Sequence, residues 1–203
     1  MTLMTVLRRT LLSITLLGTL AACGGSSNPL GNPPVVSNPD SALGNQHLSF
    51  AYFQKCINPI FLAQLLAQGA ATSNTCAGGG CHDTVTGTGG ALRLIPGAQP
   101  VDVSAPANTP DVIRATDIYK NFYSAQGMVI VGNPLQSRLV VKPLVLNVFH
   151  GGGQVFPSLS DPNIKLIEYW IKNPAPLGQD EFSTATYTMF TPADPKTGTC
   201  KTQ

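Results

Sequence analysis

A mainly α domain of short helices and long loops, following an export signal and a flexible tether, is the fold class this chain predicts. Three observations carry that expectation. Asp111, the pair Asn133-Pro134 and the pair Asp161-Pro162 each offer a side-chain cap at a helix start, two of them with proline in the first helical position. Between residues 47 and 68, apolar side chains recur at spacings of three and four, the period of one helix face. Glycine (20) and proline (17) are abundant while charged residues make up only 11%, which favours loops and short helices over a large regular sheet.

Residues 1–22 read as a signal peptide: Arg8 and Arg9 form the charged region, residues 11–20 the apolar core, and Ala21 and Ala22 the small residues ahead of Cys23. The apolar run is too short for a permanent transmembrane helix. Leu20-Ala21-Ala22-Cys23 resembles the cleavage box of bacterial lipoproteins, whose alternative is an ordinary secretory signal with an incidental cysteine. The resemblance implies that Cys23 is the lipidated first residue of the mature protein. With Gly24 and not aspartate next, it also implies an outer-membrane lipoprotein of the cell envelope, facing the periplasm or the cell surface. Residues 23–45, with Gly-Gly-Ser-Ser-Asn-Pro and Asn-Pro-Pro, are too poor in apolar side chains to pack and predict a tether.

Residues 46–203 are expected to form the domain. The first apolar pattern uses Phe50, Phe53, Ile57, Ile60, Phe61, Leu65 and Leu66, and Pro59 interrupts it, so two short helices or one kinked helix should run to Gln68. His47, beside the tether, reads as a partly exposed polar residue. Residues 91–95, Ala-Leu-Arg-Leu-Ile, predict a strand or an extended run, and residues 96–110 a polar loop. A helix capped by Asp111 should reach about Ser124, burying Ile113, Ile118 and Phe122. A short one should run from Asn133-Pro134 through Ser137 to about Val141. A third should run from Asp161-Pro162 to about Lys172, presenting Ile164, Ile167, Tyr169, Trp170 and Ile171. From Asn173 a loop-rich tail follows. Arg8 and Arg9 account for the whole formal charge of +2, so the mature chain is neutral and has no electrostatic footprint for nucleic acid.

Chemistry concentrates in Cys76-Ala-Gly-Gly-Gly-Cys81-His82: two thiols and an imidazole on a loop that glycine lets bend tightly. A covalent haem c, held by thioethers to Cys76 and Cys81 with His82 as the proximal iron ligand, is the leading reading. Four residues separate the cysteines here, where the familiar signature has two. Two other readings use the same residues. One is a Cys76–Cys81 disulfide with His82 as bystander; the other is a zinc site completed by Cys56 or His150, although no second Cys-x-x-Cys pair is present. If Cys23 is lipidated and Cys76 and Cys81 carry haem, Cys56 and Cys200 remain, and export predicts a disulfide between them. His150-Gly-Gly-Gly is similar to the oxyanion loop of lipases. That chemistry needs a Gly-x-Ser-x-Gly turn and a later histidine, and the chain has neither.

Residues 48–174 resemble a c-type cytochrome domain of the kind found in exported bacterial proteins. The resemblance rests on Asn58-Pro59-Ile60-Phe61, the Cys76 to His82 loop, Gly89-Gly90-Ala91-Leu92-Arg93-Leu94, Val131-Gly132-Asn133-Pro134 followed by Ser137 and Leu139, Lys142-Pro143-Leu144, and Trp170-Ile171, in that order. It implies a small cytochrome c-like helical fold with one haem. Many relatives carry Met-Pro in the ligand-bearing turn, where this chain has His150. The resemblance therefore implies His150 as the distal iron ligand, with Met128 as the main rival and Met189, in the tail, behind it. It also implies a single-electron carrier with an unidentified redox partner protein, attached to the membrane through lipid, and not an enzyme. Two nitrogen ligands favour a lower reduction potential than His/Met ligation. The alternatives are a haem enzyme with an open sixth position and a haem-free lipoprotein held by disulfides or zinc.

Overall fold

The computed structural model describes residues 46–187 and Cys200. The expected signal peptide (1–22), the tether (23–45) with Cys23, and Met189 all lie outside the described residues. The described part is mainly α: helices α1 (Phe50–Tyr52), α2 (Asn58–Leu62), α3 (Pro110–Arg114), α4 (Asp117–Gln126), α5 (Arg138–Val141) and α6 (Pro162–Lys172) are joined by long loops. Among the described residues the only β pairing is two isolated bridges, Leu65 with Asn74 and Asp83 with Leu94. No helix among them is long and apolar enough to cross a membrane.

Proline shapes the first helix. Pro59 has no N–H to return to the preceding turn, and a π turn over Phe53–Ile57 between α1 and α2 takes up the mismatch with one wider loop of backbone. The result is one kinked helix. It stops at Leu62, short of the expected Gln68, because Ala63 turns to extended backbone. Leu65 then exchanges both backbone bonds with Asn74, at 2.8 and 2.9 Å. Periodicity alone cannot separate a helical Leu65-Leu66 from an extended one, and here the pairing with Asn74 wins.

Two other helices also break where a hydroxyl competes for backbone. Thr116 Oγ donates to Ile113 O (2.6 Å) and accepts from Tyr119 N–H (3.3 Å), closing α3 and opening α4 with one side chain. The expected helix capped by Asp111 is therefore two helices. Asp111 sits in the first turn of α3, and Thr116 is the cap of α4. Ser137 likewise divides a 3₁₀ turn (Pro134–Gln136) from α5: it is fully buried, donates to Asn133 O (2.8 Å) and accepts from Ile130 N–H (2.9 Å). Helix α6 matches its expected bounds, with Asp161 accepting from Asn163 N–H at 2.8 Å and Pro162 in the first turn.

The first helix, α4 and α6 meet in an aromatic core. Phe53 lies 5.4 Å from both Phe122 and Trp170, and Phe50 lies 5.4 Å from Phe122 in an edge-on contact. Trp170 also donates its indole N–H to Ser49 O at 2.9 Å, so burial leaves no donor orphaned. Residues 173–187 pack back on this core. Phe50 N–H bonds to Glu181 O (2.9 Å), and Phe182 meets Phe50 edge-on and Tyr119 at a tilt, under the Arg114 guanidinium. The Glu181 carboxylate, 6% exposed, accepts from Arg114 and Tyr119 at 2.9 and 2.8 Å, with His47 3.5 Å away. Cys56 and Cys200 form a disulfide, their Cα atoms 5.8 Å apart across 144 residues of chain.

Candidate metal centre

The loop that carries Cys76, Cys81 and His82 hangs from α2 by Ala77, whose N–H bonds to Phe61 O at 3.1 Å and whose side chain is buried. Inside the loop, His82 N–H returns to Cys76 O (2.9 Å) and Cys81 N–H to Gly78 O (3.0 Å), so both thiols and the imidazole stay on one short arc. The run 91–95 meets this arc in the single parallel bridge of Leu94 with Asp83. Leu94 N–H bonds to His82 O (2.7 Å), while its own flanks are satisfied by α4: Arg93 N–H bonds to Ser124 Oγ and Ile95 N–H to Asn121 Oδ1, each at 2.7 Å. Side chains of α4 thus replace the missing sheet neighbour, which explains why five apolar-rich residues run extended without becoming a strand.

His82 donates its Nδ1–H to Leu92 O at 3.1 Å. A carbonyl can only accept, so Nδ1 carries the proton and Nε2 keeps its lone pair in the neutral ring. Burial pulls the His82 pKa below its ordinary value; the bond to Leu92 opposes this, while nearby His150, Arg93 and Lys142 add to it. Gly89 makes the pocket for this ring. A Cβ there would stand 2.4 Å from His82 Nδ1 and 2.7 Å from Cys81 O, closer than any side chain tolerates.

His150 comes from the loop after α5. Val155 N–H bonds to Pro143 O (2.8 Å) and Gln68 N–H to Gln154 O (2.7 Å), which fixes the loop's returning end. Its turn ends on Gly153 at φ +73°, whose carbonyl accepts from His150 Nδ1–H at 2.7 Å. The second imidazole therefore has the same tautomer as the first, with Nε2 free. The ring centres of His82 and His150 are 6.3 Å apart and their planes only 12° from parallel.

Both rings line one cavity of about 540 Å³. Its walls are mostly apolar, built from residues such as Ile60, Phe61, Leu92, Leu139, Phe156 and Ile167. Cys76, Cys81 and Met128 line it as well. Both cysteines are free thiols in the structure. Burial, then the neighbouring Cys81, pushes Cys76 up to about 11, while Cys81 Sγ accepts from Asn74 Nδ2 at 3.5 Å. Cys56 and Cys200 are elsewhere, bonded to each other, and His47 stands beside Glu181, outside the cavity.

The arrangement suits some metal groups better than others. A four-coordinate zinc site needs three or four protein ligands on one point. Cys56 is taken by Cys200, and among the described residues no three His, Cys, Asp or Glu side chains converge. Two imidazoles with free Nε2 atoms, lining one cavity beside two thiols, suit instead a group that brings most of its own metal ligands and needs only two nitrogens from the protein. The carbonyls on both Nδ1 atoms are the outer partners that metal-binding histidines ordinarily have.

Sequence reasoning did not find the Leu92 and Gly153 carbonyls, since any residue carries one. Nor did it single out Arg138 and Lys142, which also line the cavity. For these a signal was present: they stand four apart in a stretch without a single acidic residue between Asp117 and Asp161. No protein-family model matches the chain, and neither a curated protein nor a solved structure matches it.

Proposed function

We propose that the protein is a monohaem c-type cytochrome, tethered to the membrane through Cys23, that carries single electrons in the cell envelope. The observation that carries this reading is the pair of near-parallel imidazoles, 6.3 Å apart across an apolar cavity, each with its Nδ1 bound to a carbonyl, beside two free thiols. Cys76 and Cys81 would hold the haem covalently, and His82 and His150 would ligate its iron. The haem, when bound, supplies a metal that changes oxidation state by one electron. The chain does the rest. Its two carbonyls fix the imidazole tautomers, its mostly apolar walls limit contact with water, and the short arc from Cys76 to His82 fixes the thiols relative to the proximal ring. If His82 and His150 both ligated the iron, the protein would leave it no open position for a substrate, which favours a carrier over an enzyme. Met128 also lines the cavity, but nothing orients it as Gly153 orients His150.

A second reading, a haem-free lipoprotein, draws on the Cys56–Cys200 disulfide, which staples the domain with or without a cofactor. One experiment separates them: a pyridine haemochrome spectrum and an intact mass of the exported protein. The haem reading expects one covalent haem and a lipidated Cys23. Protein without a Soret band removes it.

A further inference from the structure

Arg138 opens α5 and Lys142, four residues on, is its C-cap; both line the cavity. None of the residues lining the cavity is acidic, and the chain has no Asp or Glu between Asp117 and Asp161. Among the described residues, neither side chain has an ion-pair or hydrogen-bond partner, whereas Arg114, Lys120, Lys165 and Lys172 each meet a carboxylate. Arg138 is exposed and Lys142 half-buried, so the two unpaired cations stand at the rim of a mostly apolar cavity, where they are open to an anion that reaches its edge. Helix α5 is also firmly set: Leu139 and Val140 are buried, and the fully buried Ser137 fixes its start. The cations therefore project from a rigid base.

We propose that Arg138 and Lys142 form the carboxylate site of the cavity and bind the two propionates of the haem. The inference rests on the proposed haem function and adds to it which residues take the acidic edge of the group. Arginine offers a planar fork that matches a carboxylate through two bonds, and lysine a mobile point charge, so the pair holds one carboxylate in fixed geometry and follows the other. The same two charges disfavour the oxidised, more positive state of the iron and so raise the reduction potential, offsetting part of the lowering that two imidazole ligands bring.

The test uses the full-length exported protein. Haem content is read first by pyridine haemochrome in the wild type, in the double variant Arg138→Gln with Lys142→Gln, and in the charge-conserving double variant Arg138→Lys with Lys142→Arg. The midpoint potential is then followed from pH 5 to pH 9. The glutamine variant should have a lower potential at pH 9 and a steeper fall with rising pH, because propionates without cations take up protons in the accessible range. The charge-conserving variant should restore most of both. Loss of haem from the glutamine variant alone also supports the site, since only charge separates the two variants. An unchanged pH profile in a haem-bearing glutamine variant, or equal loss of haem from both, overturns it. A wild type without covalent haem removes instead the reading on which the site depends.

Discussion

Two backbone carbonyls, those of Leu92 and Gly153, decide which nitrogen each imidazole leaves free. Because His150 is held through its own turn, replacing it should leave the loop folded. Under the proposed function, His150→Ala opens one axial position, and cyanide or carbon monoxide should then change a spectrum that they leave alone in the wild type. His150→Met should keep the position closed and raise the reduction potential, as thioether ligation does. A low-spin spectrum that survives His150→Ala unaltered would move the assignment to Met128. Gly89 gives a sharper test of the other ring. Gly89→Ala drives a methyl into His82 Nδ1 and Cys81 O, so the ring must swing off Leu92 O. A loss of about 1–3 kcal/mol in urea unfolding should accompany a fall in haem content. That Cys76, Cys81, His82 and His150 meet at one cavity was legible in the sequence, because few residue types carry such chemistry and the chain has only three histidines. Their supports were not, since a carbonyl leaves no mark on a sequence.

At the scale of elements only one expected cap acts as one: Asp161 does, while Asp111 lies inside the first turn of α3 and Asn133 makes no side-chain cap bond. Asp161-Pro162 opens α6 where it should, because an aspartate before proline has few other roles. Thr116 and Ser137 split helices that read as continuous, and a hydroxyl in a polar stretch gives no warning that it will take both a donor and an acceptor from the backbone. The loop that carries His150 holds a further surprise: Val145 and Asn147 both lie at φ +54°, a conformation that costs a β-branched residue dearly. The extended run 91–95 depends on α4 for its partners, and that dependence is testable. Asn121 accepts from Ile95 N–H and donates to Ile95 O and Asn58 Oδ1, and it is fully buried. Asn121→Ala orphans those groups and should cost about 1–3 kcal/mol or more. Hydrogen exchange should rise at Leu94 and Ile95 before it rises in α6.

For the whole molecule, Glu181 ties the tail to the first helix and to α3 and α4. Burial works against its ionised form, but its own backbone N–H, Tyr119 and Arg114 outweigh burial and hold the pKa below the ordinary glutamate range. A depressed carboxylate stabilises the fold fully above its unfolded value of about 4.3, and that stability is lost as pH falls through the lower folded value. Urea midpoints should therefore drop between pH 5 and pH 3 in the wild type and less so in Glu181→Gln, which should already be weaker at pH 7 by about 1–3 kcal/mol. Equal acid sensitivity in both proteins would place the titrating group elsewhere. Composition announced the tail only as loop. Its packing became visible only with Phe182 and Glu181 in place against Phe50, Tyr119 and Arg114.

The Cys56–Cys200 disulfide joins residues 144 apart, and a chain is made from one end. At about 5–20 residues per second, Cys200 is synthesised about 7–30 s after Cys56. Before it arrives, Cys76 and Cys81, and Cys23 unless lipid has taken it, are nearer partners for Cys56, so the right pairing has to be kept open against closer wrong ones. Early capture of the Cys76 and Cys81 thiols would remove the competitors in time. Cys200→Ser makes the contest visible: beyond a loss of about 2–5 kcal/mol in stability, the exported variant should accumulate a Cys56–Cys76 or Cys56–Cys81 bridge, detectable by non-reducing peptide mapping. Its absence would mean that those two thiols are sealed before oxidation reaches them.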